Sequence, residues 1–200
     1  MTINYDALAS IEDRQRYAFA GRKDFLHSSY VGGELFLVDD ALSTEDVYCM
    51  VIGEAPGAQE DTRKRPFVGQ AGILLRKLLE DVSIPPAWIT NVVKFRPPGN
   101  RTPTDSEIEL ARPYLNREWY AIGRPRTVIC CGNTPLKAIT GRAGVLKRAG
   151  MMERWDARDG GYVNVWPMLH PSFVLRTPEV RATAEKHWSD LKAWLDATYS

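Results

Sequence analysis

Glu54 and Glu60 share one loop, Gly53-Glu54-Ala55-Pro56-Gly57-Ala58-Gln59-Glu60-Asp61. Small residues beside a strand end let a ligand approach the backbone and accept hydrogen bonds from its amides. The plainer reading of these nine residues is a helix-preceding turn with solvated acids. A phosphate-cradling nucleotide loop is excluded, because no glycine spacing leads into Lys-Ser/Thr. Asn91 stands inside the apolar run Trp88-Ile89-Thr90-Asn91-Val92-Val93, where an unpartnered amide costs on the order of a few kcal/mol. Its donor and acceptor lie side by side, the arrangement that reads a base edge. The alternative is a core amide satisfied by backbone. His170 belongs to Met168-Leu169-His170-Pro171-Ser172-Phe173-Val174-Leu175-Arg176, beside a hydroxyl, apolar residues and a guanidinium. A His next to a Pro is more often structural than functional, but this one follows a strand.

The elements that must position these residues alternate along the chain. Apolar, β-prone runs at Val47–Ile52, Trp88–Val93, Arg126–Cys131 and Tyr162–Met168 read as buried strands. Between them, Ile73, Leu74, Leu75, Leu78 and Leu79 mark one face of a helix. Thr104-Asp105-Ser106-Glu107 predicts a capped helix start, and Pro135 a first helical position. A last helix ends near Tyr199. Residues from Tyr5 to about Tyr30 show helical spacing that stops at Gly32-Gly33. Strand, loop and helix in repetition imply an α/β class: a three-layer α/β/α domain with a central, mostly parallel four-stranded sheet. One domain over 1–200 is expected, with 1–46 as an N-terminal helical segment. Ligands of such sheets bind at the carboxyl ends of strands. The loops Gly53–Ala71, Lys94–Pro103 and Leu169–Arg176 all leave strand ends.

Composition excludes several classes. The chain is 44% apolar and 26% charged, ordinary for a globular domain. No apolar run approaches the roughly 20 residues of a membrane span. The N-terminus lacks signal-peptide order, so a cytoplasmic location is expected. A net charge of +1 means that any nucleic-acid grip must be local. The 3 Cys make neither a disulfide framework nor four thiolate ligands, and His27, His170 and His187 lack metal-ligand spacing.

GEAPGAQED, RPFVGQAG, TNVVKFRPPGNRTPT and LHPSFVLR, in this order and spacing, resemble the uracil-DNA glycosylase superfamily, closest to its family 4. The resemblance runs from about Val47 to Arg176. It implies a monofunctional DNA glycosylase acting on deoxyuridine by base flipping. Glu54 falls on the acid near the attacking water, and Ala55 on a backbone contact to uracil. Phe67 matches the aromatic that stacks on the flipped base. Glu60 matches a carboxylate at the pocket edge that helps exclude a 5-methyl group. Asn91 falls on the amide that reads the pyrimidine, and His170 on the donor toward uracil O2. Ser172 would hold phosphate, and Leu175 or its neighbour Val174 would enter the space the base leaves. Uracil-containing DNA is the implied partner, free uracil the product, and a monomer the expected state.

The chain departs from family 4 where that family binds a [4Fe–4S] cluster. The resemblance places two thiolate ligands at Phe95 and Ala111, and two more upstream of the first motif, where Gly21 to Val47 contains no Cys. No cofactor is therefore expected, and the three cysteines read as small core hydrophobes. A cousin class attaches to the abasic sugar through a His in a basic insert, but the matching residues 141–150 contain none. The basic candidates for DNA phosphates are Arg63-Lys64-Arg65, Lys94, Arg96, Arg101, Arg142, Lys147, Arg148 and Arg176; solvated surface is the alternative for each. Two rival functions remain: a same-fold enzyme for another modified base, and a noncatalytic DNA-binding descendant.

Overall fold

The computed structural model describes residues 3–19, 28–38, 47–156 and 161–199. At its centre lie four parallel strands, β2 (Cys49–Gly53), β3 (Ala87–Asn91), β4 (Thr127–Cys131) and β6 (Tyr162–Met168). β2, β3 and β4 are buried at every position, which is why their sequences are continuous apolar runs rather than alternating ones. Helices cover both faces. Met50, Ile52, Val128 and Val163 face α4 (Asp105–Ala121) and α5 (Asn133–Thr140), with α1 (Tyr5–Phe19) packed on α4. On the other face, Trp166 of β6 meets Trp194 of α8 (Arg181–Tyr199), which packs with α3 (Gln70–Asp81) and α7 (Pro171–Arg176).

Among the described residues the sheet has six strands, ordered β1-β3-β2-β4-β6-β5, rather than the four expected. The two additions, β1 (Glu34–Phe36) and β5 (Glu153–Asp156), are antiparallel edges. Neither carries an apolar run: β1 has three residues, and β5 alternates half-buried and exposed positions. Two expected loops also contain helix. α2 (Ala58–Arg63) interrupts Gly53–Ala71, and α7 forms most of Leu169–Arg176. Gly132 caps α5, so Pro135 is its third residue rather than its first. The Thr104 capping box does start α4, with Glu107 Oε2 accepting from the Thr104 amide at 2.8 Å.

Helix spans Tyr5–Phe19, but residues 28–38 carry no helix and include β1, which corrects the helix expected to about Tyr30 and the helical segment expected over 1–46; residues 20–27, which include His27, and 39–46 lie outside the described residues. From Ser28 the chain runs across the loop that follows β3. The Ser28 hydroxyl donates to Arg96 O at 2.7 Å and the Val31 amide to Lys94 O at 2.8 Å. Tyr30 sets its ring edge-on to Phe95, centroids 5.6 Å apart. No helix among the described residues is long and apolar enough to cross a membrane.

Candidate active site

Parallel pairing brings Gly53, the last residue of β2, beside Asn91, the last of β3. A Cβ at residue 53 would lie nearer than 3.0 Å to both Asn91 Oδ1 and Phe67 Cζ. Only a glycine lets the amide and the ring converge over this strand end. Phe67 is 5% exposed although it sits in a loop, and its φ of 52° is left-handed. Its carbonyl accepts from Arg76 Nε at 3.0 Å, while Arg76 Nη2 donates to Pro66 O at 3.0 Å and also pairs with Glu34 of β1. Gly72 of α3 lies against the Phe67 backbone, so closely that a Cβ could not be placed there. The backbone that carries the ring is thus held by a helix and by a guanidinium.

Across the sheet, the N-terminus of α5 joins the acid to the imidazole. Thr134 donates its hydroxyl to Glu54 Oε2 at 2.6 Å. Two residues earlier, Gly132 (φ 105°) would place a Cβ 3.3 Å from His170 Cβ. His170 caps α7: its Nδ1 accepts from the Ser172 amide at 3.1 Å and lies 2.7 Å from Ser172 Oγ. An Nδ1 that accepts from a backbone amide leaves the neutral ring's proton on Nε2, so the free end of the ring is a donor. Burial first, and the Arg176 charge second, bring the His170 pKa down to about 4. The imidazole is neutral at physiological pH. The amides of Val92 and Val93 donate to the carbonyls of Gly53 and Glu54 at 2.9 and 3.1 Å, locking the first loop to the second.

The other expected site residues sit in varied settings. Ala55 is half-buried next to Glu54. The Glu60 carboxylate accepts from the amides of Gly57 (3.1 Å), Val68 (2.8 Å) and Gly69 (2.6 Å), so it closes the loop that carries Phe67. Leu175 is 44% exposed and Val174 only 4%, so of these two expected candidates only Leu175 stands out from the surface. Ser172 is engaged with His170. Lys147 and Arg176 are exposed. Arg65 is exposed and pairs with Glu34. Arg101 forms a two-point pair with Glu107 (2.9 Å each), whose hydrogen bonds hold that carboxyl down to about 2. Arg148 pairs with Glu153, Nε to Oε1 at 2.6 Å.

Lys94 overturns its expectation. It is fully buried and paired with Glu118, so it cannot reach a DNA phosphate. Its sequence neighbours Arg96 and Arg101 made it look like part of a basic loop, but the chain turns after Asn91 and folds this side chain back under the strand. Sequence reasoning also passed over Gly53, Thr134 and Arg76 as functional residues. The signal available for Gly53 and Thr134 was a glycine ending an apolar strand, present in both Ile52-Gly53 and Cys131-Gly132-Asn133-Thr134. Arg76 carried none, because its targets are backbone carbonyls nine and ten residues away.

Phe95 and Ala111 are buried, and Cys49, Cys130 and Cys131 are free thiols inside β2 and β4. Burial pushes Cys49 and Cys131 up to about 12 and Cys130 well above its ordinary value, the reverse of what a metal thiolate needs. Among the described residues no group of three His, Cys, Asp or Glu could hold a metal ion. A separate cleft, lined by Met50, Arg112, Trp119 and Trp155, lies between α4 and the sheet and includes none of the site residues.

A profile described as the uracil DNA glycosylase superfamily matches residues 40–196. The chain is 35% identical over 198 residues to a type-4 uracil-DNA glycosylase of Archaeoglobus fulgidus, covering 92% of each protein. It is 40% identical over 145 residues to a type-4 uracil-DNA glycosylase of Pyrobaculum aerophilum, covering 68% of this chain and 72% of that one. A protein of the same description from Thermotoga maritima is 37% identical over 135 residues, 66% of this chain and 68% of its own.

Proposed function

Because the chain belongs to the uracil-DNA glycosylase superfamily, we propose that it hydrolyses the N-glycosidic bond of deoxyuridine in DNA, leaving an abasic site. One observation carries the reading. Asn91 and Phe67 converge over Gly53, while the same end of the sheet holds Glu54 and a neutral, donor-bearing His170. A base taken out of the stack lies against the Phe67 ring, with Asn91 meeting the N3–H and O4 of uracil. The C1′–N1 bond breaks and its electron pair leaves with the base. His170 Nε2–H stabilises the charge that grows on O2, in a setting where a fixed dipole is worth far more than in water. Glu54, held by Thr134, orients water toward C1′ and takes its proton as the new C–O bond forms. The family motifs place no lysine for a Schiff base, which supports a monofunctional enzyme, and one chain supplies every group the chemistry uses.

Exposed Arg63, Lys64, Arg65, Lys147 and Arg176 supply the phosphate grip, and Leu175 fills the vacated space. The enzyme works without an iron–sulfur cluster. Carbon side chains at Phe95 and Ala111 offer no ligand, and the three thiols are protonated within strands. An absorbance band near 400 nm accompanying stoichiometric iron in the purified protein would refute that part.

The deciding assay is abasic-site formation on uracil-containing oligonucleotides. Uracil excision supports the reading, turnover on other modified bases alone points to a same-fold enzyme of different specificity, and binding without turnover points to a noncatalytic descendant. Asn91→Asp replaces the amide donor with an acceptor facing O4. A good bidentate contact is worth about 1–3 kcal/mol in discrimination, so excision falls at least about tenfold while Tm barely moves. Wild-type turnover by this variant would make Asn91 a structural amide.

A further inference from the structure

The largest charge buried near the site is one that the chemistry above does not use. Lys94 has no exposed surface, and Glu118 of α4 is nearly as deep. An ammonium has three donors, and here each has an acceptor: the Thr90 hydroxyl, the backbone carbonyl of Asn91 at 2.8 Å, and Glu118 Oε2 at 2.5 Å. Glu118 is filled from the other side by Trp88 Nε1 at 3.0 Å and Thr90 Oγ1 at 3.2 Å. Gly33 lies flush against the Trp88 indole and Glu118, where a Cβ would be too close to both. The Lys94 carbonyl is tied to the Val31 amide. The tripod is therefore complete, buried and closed over by the N-terminal segment.

Such a pair is a poor way to gain stability. Desolvating two charges offsets most of their attraction, and a well-packed apolar pair of similar volume is often as stable or more so. What the network does accomplish is geometric. Its apex holds the main-chain carbonyl of Asn91, the last residue of β3 and the one that must tell uracil from cytosine. An amide discriminates only while its oxygen and nitrogen keep their places; rotated by half a turn it matches the wrong base. We propose that Lys94, held by Glu118 and Thr90, is a positioning residue that fixes the backbone of Asn91 and with it the orientation of the base-reading amide. Burial pulls the Lys94 ammonium below its ordinary pKa, and the charge and hydrogen bond of the facing Glu118 carboxylate oppose that shift. The inference rests on Asn91 being the reader of the base.

The test uses the full chain and the variant pair Lys94→Met with Glu118→Gln. It removes both charges together, so no lone buried ion is left, and the new carboxamide keeps an acceptor for Trp88. Excision is measured on single-stranded oligonucleotides carrying uracil, alongside Tm and the side-chain amide signal of Asn91 in protein labelled with 15N asparagine, assigned by its loss in Asn91→Asp. The expected result is a Tm within a few degrees of wild type, kcat for uracil down at least about tenfold, an unchanged KM for DNA, and a broadened or doubled Asn91 signal. Thr90→Val removes one leg of the tripod without touching a charge, and its expected kcat loss is several-fold at unchanged Tm; it carries the test alone if the double variant does not fold. Wild-type kcat with an unchanged Asn91 signal in a folded variant overturns the proposal. A wild-type protein that excises no uracil sinks the functional reading instead, and the amide signal still decides whether Lys94 positions Asn91.

Discussion

Replacing Gly53 by Ala adds one methyl group at the point where the base-reading amide and the stacking ring meet. That methyl would stand nearer than 3.0 Å to Asn91 Oδ1 and to Phe67 Cζ, whereas ordinary contact begins at 3.4 Å. β2 is paired on both sides, with β3 and β4, so the backbone has nowhere to withdraw. The ring and the amide must move instead, each by roughly 1 Å, and a misplacement of about that size costs on the order of 10²-fold in rate. Overpacking also costs stability, about 1–3 kcal/mol, or about 2–4 °C of Tm for each kcal/mol in a chain of this size. The two effects separate cleanly. With a total stability of about 5–15 kcal/mol, a loss of this size leaves nearly every molecule folded at 25 °C, so it cannot produce a hundredfold fall in kcat. The assay is steady-state uracil release from a single-stranded oligonucleotide at 25 °C, with Tm measured on the same preparation. A Gly53→Ala protein whose kcat stays within threefold of wild type would refute the convergence of Phe67 and Asn91 over this residue as the basis of the pocket.

Three further outcomes follow from the same geometry. His170 has a folded pKa of about 4, below its unfolded value of 6.5, so its contribution to stability is complete above pH 6.5 and is lost as pH falls toward 4. An NMR titration of its ring should give a midpoint near 4 in the folded protein; a midpoint at 6.5 would contradict a neutral donor set by burial. Leu175→Ala should weaken excision from paired DNA more than from single strands, because only the duplex needs unpairing; equal losses on both substrates would show that the side chain is no wedge. Phe95→Ala should destabilise by about 3–5 kcal/mol in a denaturant titration, since the ring is 6% exposed and packed on Tyr30; a loss under about 1 kcal/mol would mean the site collapses around the gap.

The central strands and the site loops were legible in the sequence because their signals are local. A buried parallel strand is an uninterrupted apolar run, and Thr104 with Glu107 spells a capping box within four residues. β1 and β5 were not legible, since a three-residue edge and a half-exposed edge carry no run to detect. The site divides along the same line. Glu54, Asn91 and His170 stood out as polar residues beside apolar strands, and the resemblance of their motifs gave each its expected role. The fate of Lys94 could not, because what decides it is Glu118, 24 positions away on a helix whose face is set by tertiary packing. Glu60 was recognisable as a carboxylate in the right loop, but its amide partners at Val68 and Gly69 come from the far side of α2.

The polar groups of this site act on fixed points, and the way those points are fixed explains the N-terminal segment. Excision by electrostatics needs donors that do not reorganise as charge develops, yet Phe67 and the residues after Asn91 belong to loops. Each is braced by a residue from 28–36 or by a group that such a residue holds. Glu34 pairs with Arg76, which grips the Pro66 and Phe67 carbonyls. Tyr30 and Ser28 hold Phe95 and Arg96, and the Ser29 amide donates to Asp61 of α2 at 2.5 Å. Val31 and Gly33 close over Lys94 and Glu118. The segment therefore ties the first loop to the second from outside, where the sheet ties them from within. It also predicts where tolerance ends: a truncation that removes residues 28–36 takes away the partner of Arg76 and uncovers a buried ion pair, so it should cost activity before it costs the central sheet.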